Sequence, residues 1–126
     1  MSNYLFTLDI SSLLSLPVGS IKEFEFEQNI PEDTWEDLIC TESLMMSVKL
    51  VREEYGVNCL LMKITTTIAI PSEGIEDKTI ELEYISREFH LKKKKEDTDD
   101  IEYVNTHDAT IDLSRVIEQE LLIAGL

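Results

Sequence analysis

The chain has 126 residues, enough for one hydrophobic core but not for two, and 43% of it is hydrophobic, so a folded globular domain is expected. Twenty-six acidic residues stand against eleven basic ones, a formal charge of −15. That balance argues against an extensive nucleic-acid-binding face, because Lys and Arg supply the affinity for phosphates.

An acidic chain suits capture of a basic partner, since complementary charge speeds encounter, although solubility alone is the commoner reason for such a charge. The longest apolar run, around Leu121–Ile123, is far too short to span a bilayer. Residues 1–20 carry no basic segment ahead of Leu13, Leu14 and Leu16, so no signal peptide is predicted and the cytoplasm is the expected compartment. Cys40 and Cys59 are widely spaced in apolar-rich stretches and read as buried free thiols rather than a disulfide or a metal pair.

In chain order, residues 4–8 (YLFTL) fit a first strand. Asp9 then precedes a short helical turn capped by Asp9 itself or by Ser11, which Pro17 and Gly19 close. In IKEFEFEQ, Phe24 and Phe26 alternate with Glu23, Glu25 and Glu27, the period of a half-buried strand with one wet face. The stretch from Asn29 to Ser43 suits either a short helix starting at Pro31 or an ordered loop. Leu44, Met46, Val48 and Leu50 then share one strand face, and Arg52–Gly56 forms a turn. Leu60, Met62, Ile64, Thr66, Ile68 and Ile70 are predicted to share one face of a long, β-branched strand. A turn at Pro71–Gly74 leads to a third strand with Ile80, Leu82 and Tyr84 on one side. There the alternation slips at Ile85, predicting a bulge near Ser86 before Phe89 and Leu91 resume the apolar face. These three strands should form an antiparallel meander. Residues 92–108 read as a charged, flexible loop, with Lys92–Lys95 as a minor candidate for phosphate contact. Residues 111–125 close the chain as an amphipathic helix. Asp112 caps it, Ile111 staples its entry, and Leu113, Val116, Ile117, Leu121 and Ala124 line its apolar face, with Gly125 as terminator.

Catalytic signatures are few. The histidines at 90 and 107 lack a zinc spacing and are expected at the surface, and there is no glycine-rich phosphate loop, nucleophile elbow or C-x-x-C. The run EFEFE places Glu23, Glu25 and Glu27 on one strand face and resembles the alternating-glutamate strand of triphosphate tunnel enzymes, where carboxylates hold Mg²⁺. Those enzymes also need inward Arg and Lys clamps. No strand here carries basic residues at period-two spacing, so a solvated acidic face is the preferred reading.

The closing segment IDLSRVIEQELLIAGL, residues 111–126, resembles the most recognisable part of the bacterial YceD family: an Ile-Asp-Leu entry, an acidic amphipathic helix and an apolar finish. The order of elements is also similar over nearly the whole chain, read as a single YceD-like domain, 1–126. Family members commonly carry Cys-x-x-Cys-Leu-Glu after the long strand. Here that turn reads Pro71-Ser72-Glu73-Gly74-Ile75-Glu76, so no thiol or zinc role carries over. The usual finish also continues through a proline into a tail, whereas this sequence stops at Leu126. The resemblance implies a non-enzymatic accessory factor in large ribosomal subunit biogenesis, concerned with large-subunit rRNA accumulation. It implies no cofactor or metal.

The expected fold is therefore α+β, mostly β: a curved antiparallel sheet or partial β-barrel with a C-terminal amphipathic helix. The expected mode is protein binding, with a basic ribosomal protein as partner, and without direct RNA binding or membrane attachment. Glu23, Glu25 and Glu27 on the strand, and Asp97, Asp99 and Asp100 in the acidic loop, are the candidate partner-binding residues. The alternatives are a metal-dependent phosphohydrolase using the glutamate strand and an acidic nucleic-acid mimic.

Overall fold

The computed structural model describes residues 6–94 and 101–126. A short strand, β1 (Thr7–Asp9), leads into one helical turn, α1 (Ser11–Leu14). The Asp9 carboxylate accepts both the N–H (2.8 Å) and the hydroxyl (2.6 Å) of Ser11, fixing the entry to that turn. The alternating apolar segments that follow build the main sheet: β2 (Ile21–Gln28), β3 (Ile39–Cys40), β4 (Leu44–Glu53), β5 (Gly56–Ile70), β6 (Ile75–His90) and β7 (Glu102–Tyr103). Its order is β2-β4-β5-β6-β7, antiparallel except where β7 runs parallel to the end of β6. The two-residue β3 pairs with the far end of β5, so β3 and β4 lie along the same side of β5, interrupted at 41–43. A last strand, β8 (Thr110–Asp112), pairs antiparallel with β1 and delivers the chain to α2 (Ser114–Gly125). The class is α+β and mostly β, as expected, and the sheet is open rather than closed into a barrel. The meander β4-β5-β6 is its centre.

The long strand does not keep one face. Val57, Cys59 and Leu61 are buried, and so are Ile64, Thr66, Ile68 and Ile70, so the inward phase changes by one residue at Met62. Pairing with β4 shows why: Val48 faces Leu61 but Ser47 faces Lys63, leaving Met62 as the extra residue of a bulge. Leu60 and Met62 therefore stand on the opposite side from Ile64, correcting the single apolar face expected from the sequence. The adjoining strand changes phase at the same level. Tyr84, at φ 56°, is exposed between the half-buried Leu82 and Ile85, which places the irregularity two residues before Ser86. Because β5 and β6 slip together, Leu61 faces Ile85 and Lys63 faces Glu83 without a gap in their own register.

The core lies between the sheet's inner face and α2. Leu113, Val116, Ile117 and Leu121 are each at most 1% exposed, and burying side chains of this kind stabilises by roughly 1.5–3 kcal/mol apiece. The helix starts at Ser114 rather than 111, because Ile111 is committed to pairing with Leu8. Leu113 occupies the position before the helix, and Asp112, one residue earlier, accepts the Ser114 N–H at 2.8 Å. Gly125 lies inside the helix rather than past its end. A Cβ there would come 2.8 Å from the Cδ1 atoms of both Ile68 and Ile70, so its role is close approach to β5. Two basic residues of β6 pin the helix from outside: Arg87 pairs with Glu120, and Lys78 donates to the Gly125 carbonyl at 3.0 Å.

The ambiguous stretch after β2 is an ordered loop that ends in β3, not a helix. It is held by burial of Ile30, Trp35 and Leu38. The Trp35 ring stacks on Phe6 at 5.7 Å, and its indole N–H donates to the Ser114 hydroxyl at 3.0 Å. One side chain thereby ties the loop to both the first strand region and the start of α2.

Candidate functional site

The strand β2 sits at one edge of the sheet, with β4 as its neighbour. Phe24 and Phe26 face Val48 and Met46 and pack, half-buried, against the core, their rings 6.1 Å apart. Period-two alternation then sends Glu23, Glu25 and Glu27 to the outer face, where all three are exposed. Their cross-strand neighbours are Lys49, Ser47 and Met45, and none of the three carboxylates has an ion-pair partner among the described residues. Lys22 in the same strand is drawn elsewhere, 5.1 Å over the Phe24 ring and 3.3 Å from the Ser12 hydroxyl. Beside Glu23 and Glu25, a shallow depression of about 530 Å³ runs across Ser47 to Met62. The phase change that turns Met62 outward supplies its apolar floor.

Asp97, Asp99 and Asp100 lie outside the described residues, as does Lys95. Lys92, Lys93 and Lys94 are exposed where the chain leaves β6. The structure also gathers an acidic group that the sequence reading missed. Glu36 and Asp37 from the ordered loop, Asp112 from the end of β8 and Glu118 from α2 surround a hollow of about 350 Å³ with Arg115 at its margin. Partial burial, followed by the nearby charges of Asp37 and Glu36, pushes the Glu118 carboxyl above its ordinary range. No local pattern announces this group. Its two halves are far apart in sequence and are joined by the Trp35–Ser114 hydrogen bond.

His90 corrects the expectation of an exposed histidine. Its ring is half-buried, stacks on Tyr55 at 4.5 Å, and places Nε2 2.9 Å from Glu88 Oε1. Burial pushes the Tyr55 hydroxyl up from its usual value. His107 is exposed.

Both cysteines are buried free thiols. Burial pushes Cys59 up to about 12 and raises Cys40 as well, the latter opposed by a hydrogen bond with Thr66. At mildly alkaline pH burial keeps Cys59 as the unreactive thiol rather than the thiolate. Iodoacetamide should therefore leave Cys59 of the native protein unmodified over hours and label both cysteines promptly in denaturant, read by intact mass. Prompt labelling of Cys59 under native conditions would show that β5 is not packed as described.

Among the described residues, no group of three or more His, Cys, Asp or Glu side chains is placed to hold a metal ion. The three glutamates of β2 point away from the core on an open sheet, whereas a tunnel enzyme needs them enclosed with phosphate-clamping cations. No helix among the described residues is long and apolar enough to cross a membrane. No protein-family model, curated protein or solved structure matches the chain.

Proposed function

We propose that the protein is a non-enzymatic accessory factor in large ribosomal subunit assembly, supporting accumulation of the large-subunit rRNA by binding a basic ribosomal protein. The observation that carries this reading is the row Glu23, Glu25, Glu27: three exposed carboxylates held in register by β4 and in no ion pair among the described residues. A row of like charges on a folded strand is a better receptor for Lys and Arg than acids on an unordered backbone, because less backbone order remains to be imposed on binding. The charge of −15 adds long-range attraction for a basic partner and repels phosphate backbones. The YceD-like finish at 111–126 supplies the ribosomal context, and a cytoplasmic location goes with it.

Affinity purification of the intact chain from cells, followed by identification of what co-purifies, is the direct test. A basic protein of the large subunit should be recovered. Its association rate should fall at least about tenfold between low and high salt, as electrostatically steered encounters do. Reversing Glu23, Glu25 and Glu27 to lysine should slow association more than reversing Asp97, Asp99 and Asp100. Tight RNA binding that depends on Lys92–Lys95 would overturn the assignment.

A further inference from the structure

We infer that the free edge of β2 is a docking site for an extended segment of alternating basic and apolar residues, added to the sheet as one more antiparallel strand. The inference rests on the protein-binding reading above and specifies how the partner is held. Among the described residues β2 pairs with β4 alone, so half of its backbone N–H and C=O groups have no strand beside them. Which half follows from one bond. Arg52 donates its N–H to the Ser20 carbonyl at 2.8 Å, making Ser20 and Arg52 a hydrogen-bonded pair at the start of the ladder. Hydrogen-bonded and non-bonded pairs alternate along an antiparallel ladder. The unbroken register from Ile21–Val51 to Gln28–Leu44 therefore turns Lys22, Phe24, Phe26 and Gln28 toward β4, and Ile21, Glu23, Glu25 and Glu27 toward the open edge.

The residues that offer free backbone groups are thus the same ones that carry the unpaired carboxylates. An added strand would set its own residues directly opposite Glu23, Glu25 and Glu27 on the outer face, where Lys or Arg forms cross-strand ion pairs. Its intervening residues would fall beside Phe24 and Phe26, which leave the margin of the core half-exposed on that side. A second copy of the chain is a poor occupant, because β2 against β2 opposes glutamate to glutamate.

The other side of the sheet is built differently. Beyond its pairing with β7, the outer side of β6 is interrupted by Asp77 at φ 38° and Tyr84 at φ 56°, and Lys78 and Arg87 are committed to α2. Such irregularities blunt an edge against strand addition. The edge of β2 has none.

The test uses the full chain and two synthetic peptides of one composition, one alternating Lys and Val, the other carrying the lysines and valines in separate blocks. At physiological salt the alternating peptide should bind at least about tenfold more tightly by calorimetry, and it should slow hydrogen exchange at the amides of Glu23, Glu25 and Glu27. Methylating alternate backbone nitrogens of that peptide, on the edge that meets β2, should abolish its advantage. Glu25→Pro should do the same while Glu25→Gln keeps most of it, because the proline removes an outward N–H and the glutamine only a charge. Equal affinity for the two peptides, or unchanged exchange at the three amides, would overturn the inference. Recovery of a ribosomal protein with equal peptide affinities would sink the edge site alone. Peptide discrimination with no ribosomal protein recovered would sink the ribosomal reading and leave the edge site standing.

Discussion

Leu121→Asp is expected to lower the unfolding free energy by at least about 4 kcal/mol, combining the loss of a buried leucine with the desolvation of a carboxylate. Leu121 has no exposed surface and lies on the face of α2 that packs against β5 and β6. Lys78 and Arg87, the cations of β6 that reach the helix, already bond Gly125 and Glu120 and so do not neutralise the new charge. A domain of this size has only about 5–15 kcal/mol to lose, so much of the variant's native population should disappear near physiological temperature. Ile123→Asp is the matched control. Ile123 is 70% exposed on the opposite face of the same helix, and its substitution should stay within about 0.5 kcal/mol. Urea titration of both variants separates the cases. If Leu121→Asp unfolds at the parent's midpoint, α2 is not seated on the sheet and its apolar face is open to a partner.

The helix and the meander were legible because each carries a strong periodic signal. Val116, Ile117 and Leu121 fall on one helical stripe, and Leu44, Met46, Val48 and Leu50 on one strand face, and all are buried. What misled was the assumption that a period persists. In β5 the even positions from Leu60 to Ile70 form an uninterrupted apolar or β-branched series, but so do Val57, Cys59 and Leu61 on the odd side. A strand with apolar residues on both sides carries no internal evidence of where one phase yields to the other. The bulge at Met62 is settled by pairing with β4, a long-range condition. In β6 the slip shows in the sequence as Tyr84–Ile85, two apolar neighbours breaking the alternation, and the structure places it at Tyr84 rather than near Ser86. Gly125 resembles a helix stop because glycine often ends helices, whereas its place is set by close approach to Ile68 and Ile70 across the core. The glutamate row was readable from local alternation alone. That β2 is an edge strand was not, because strand order is a property of the whole sheet.

Gly56→Ala should cost about 3 kcal/mol or more through a backbone collision that no side-chain rotation relieves. Gly56 follows the two-residue turn at Glu54–Tyr55, paired with Glu53 on one side and His90 on the other. Its φ of +151° is one that residues with a Cβ rarely adopt, and a Cβ built there would lie 2.2 Å from the Phe89 carbonyl oxygen. The obstacle belongs to the end of β6, which is anchored by the buried Phe89 and by the Leu91 N–H donating to the Tyr55 carbonyl at 2.9 Å. To make room, β6 must move away from the hairpin, and the stack of His90 on Tyr55 must open with it. Gly74→Ala provides the comparison. Gly74 sits at φ +68° with nothing within 4 Å of the added methyl, so it should cost only the left-handed strain of about 1–2 kcal/mol. Both variants can be compared by urea unfolding, with Tyr55 hydrogen exchange or ring-current shifts at His90 reporting on the stack. Should Gly56→Ala prove no more costly than Gly74→Ala, the hairpin does not approach β6 as closely as described, and the register Gly56–His90 falls with it. If the larger loss appears with the His90 shift, the close approach of those two backbones is what fixes the register of the whole meander at its open end.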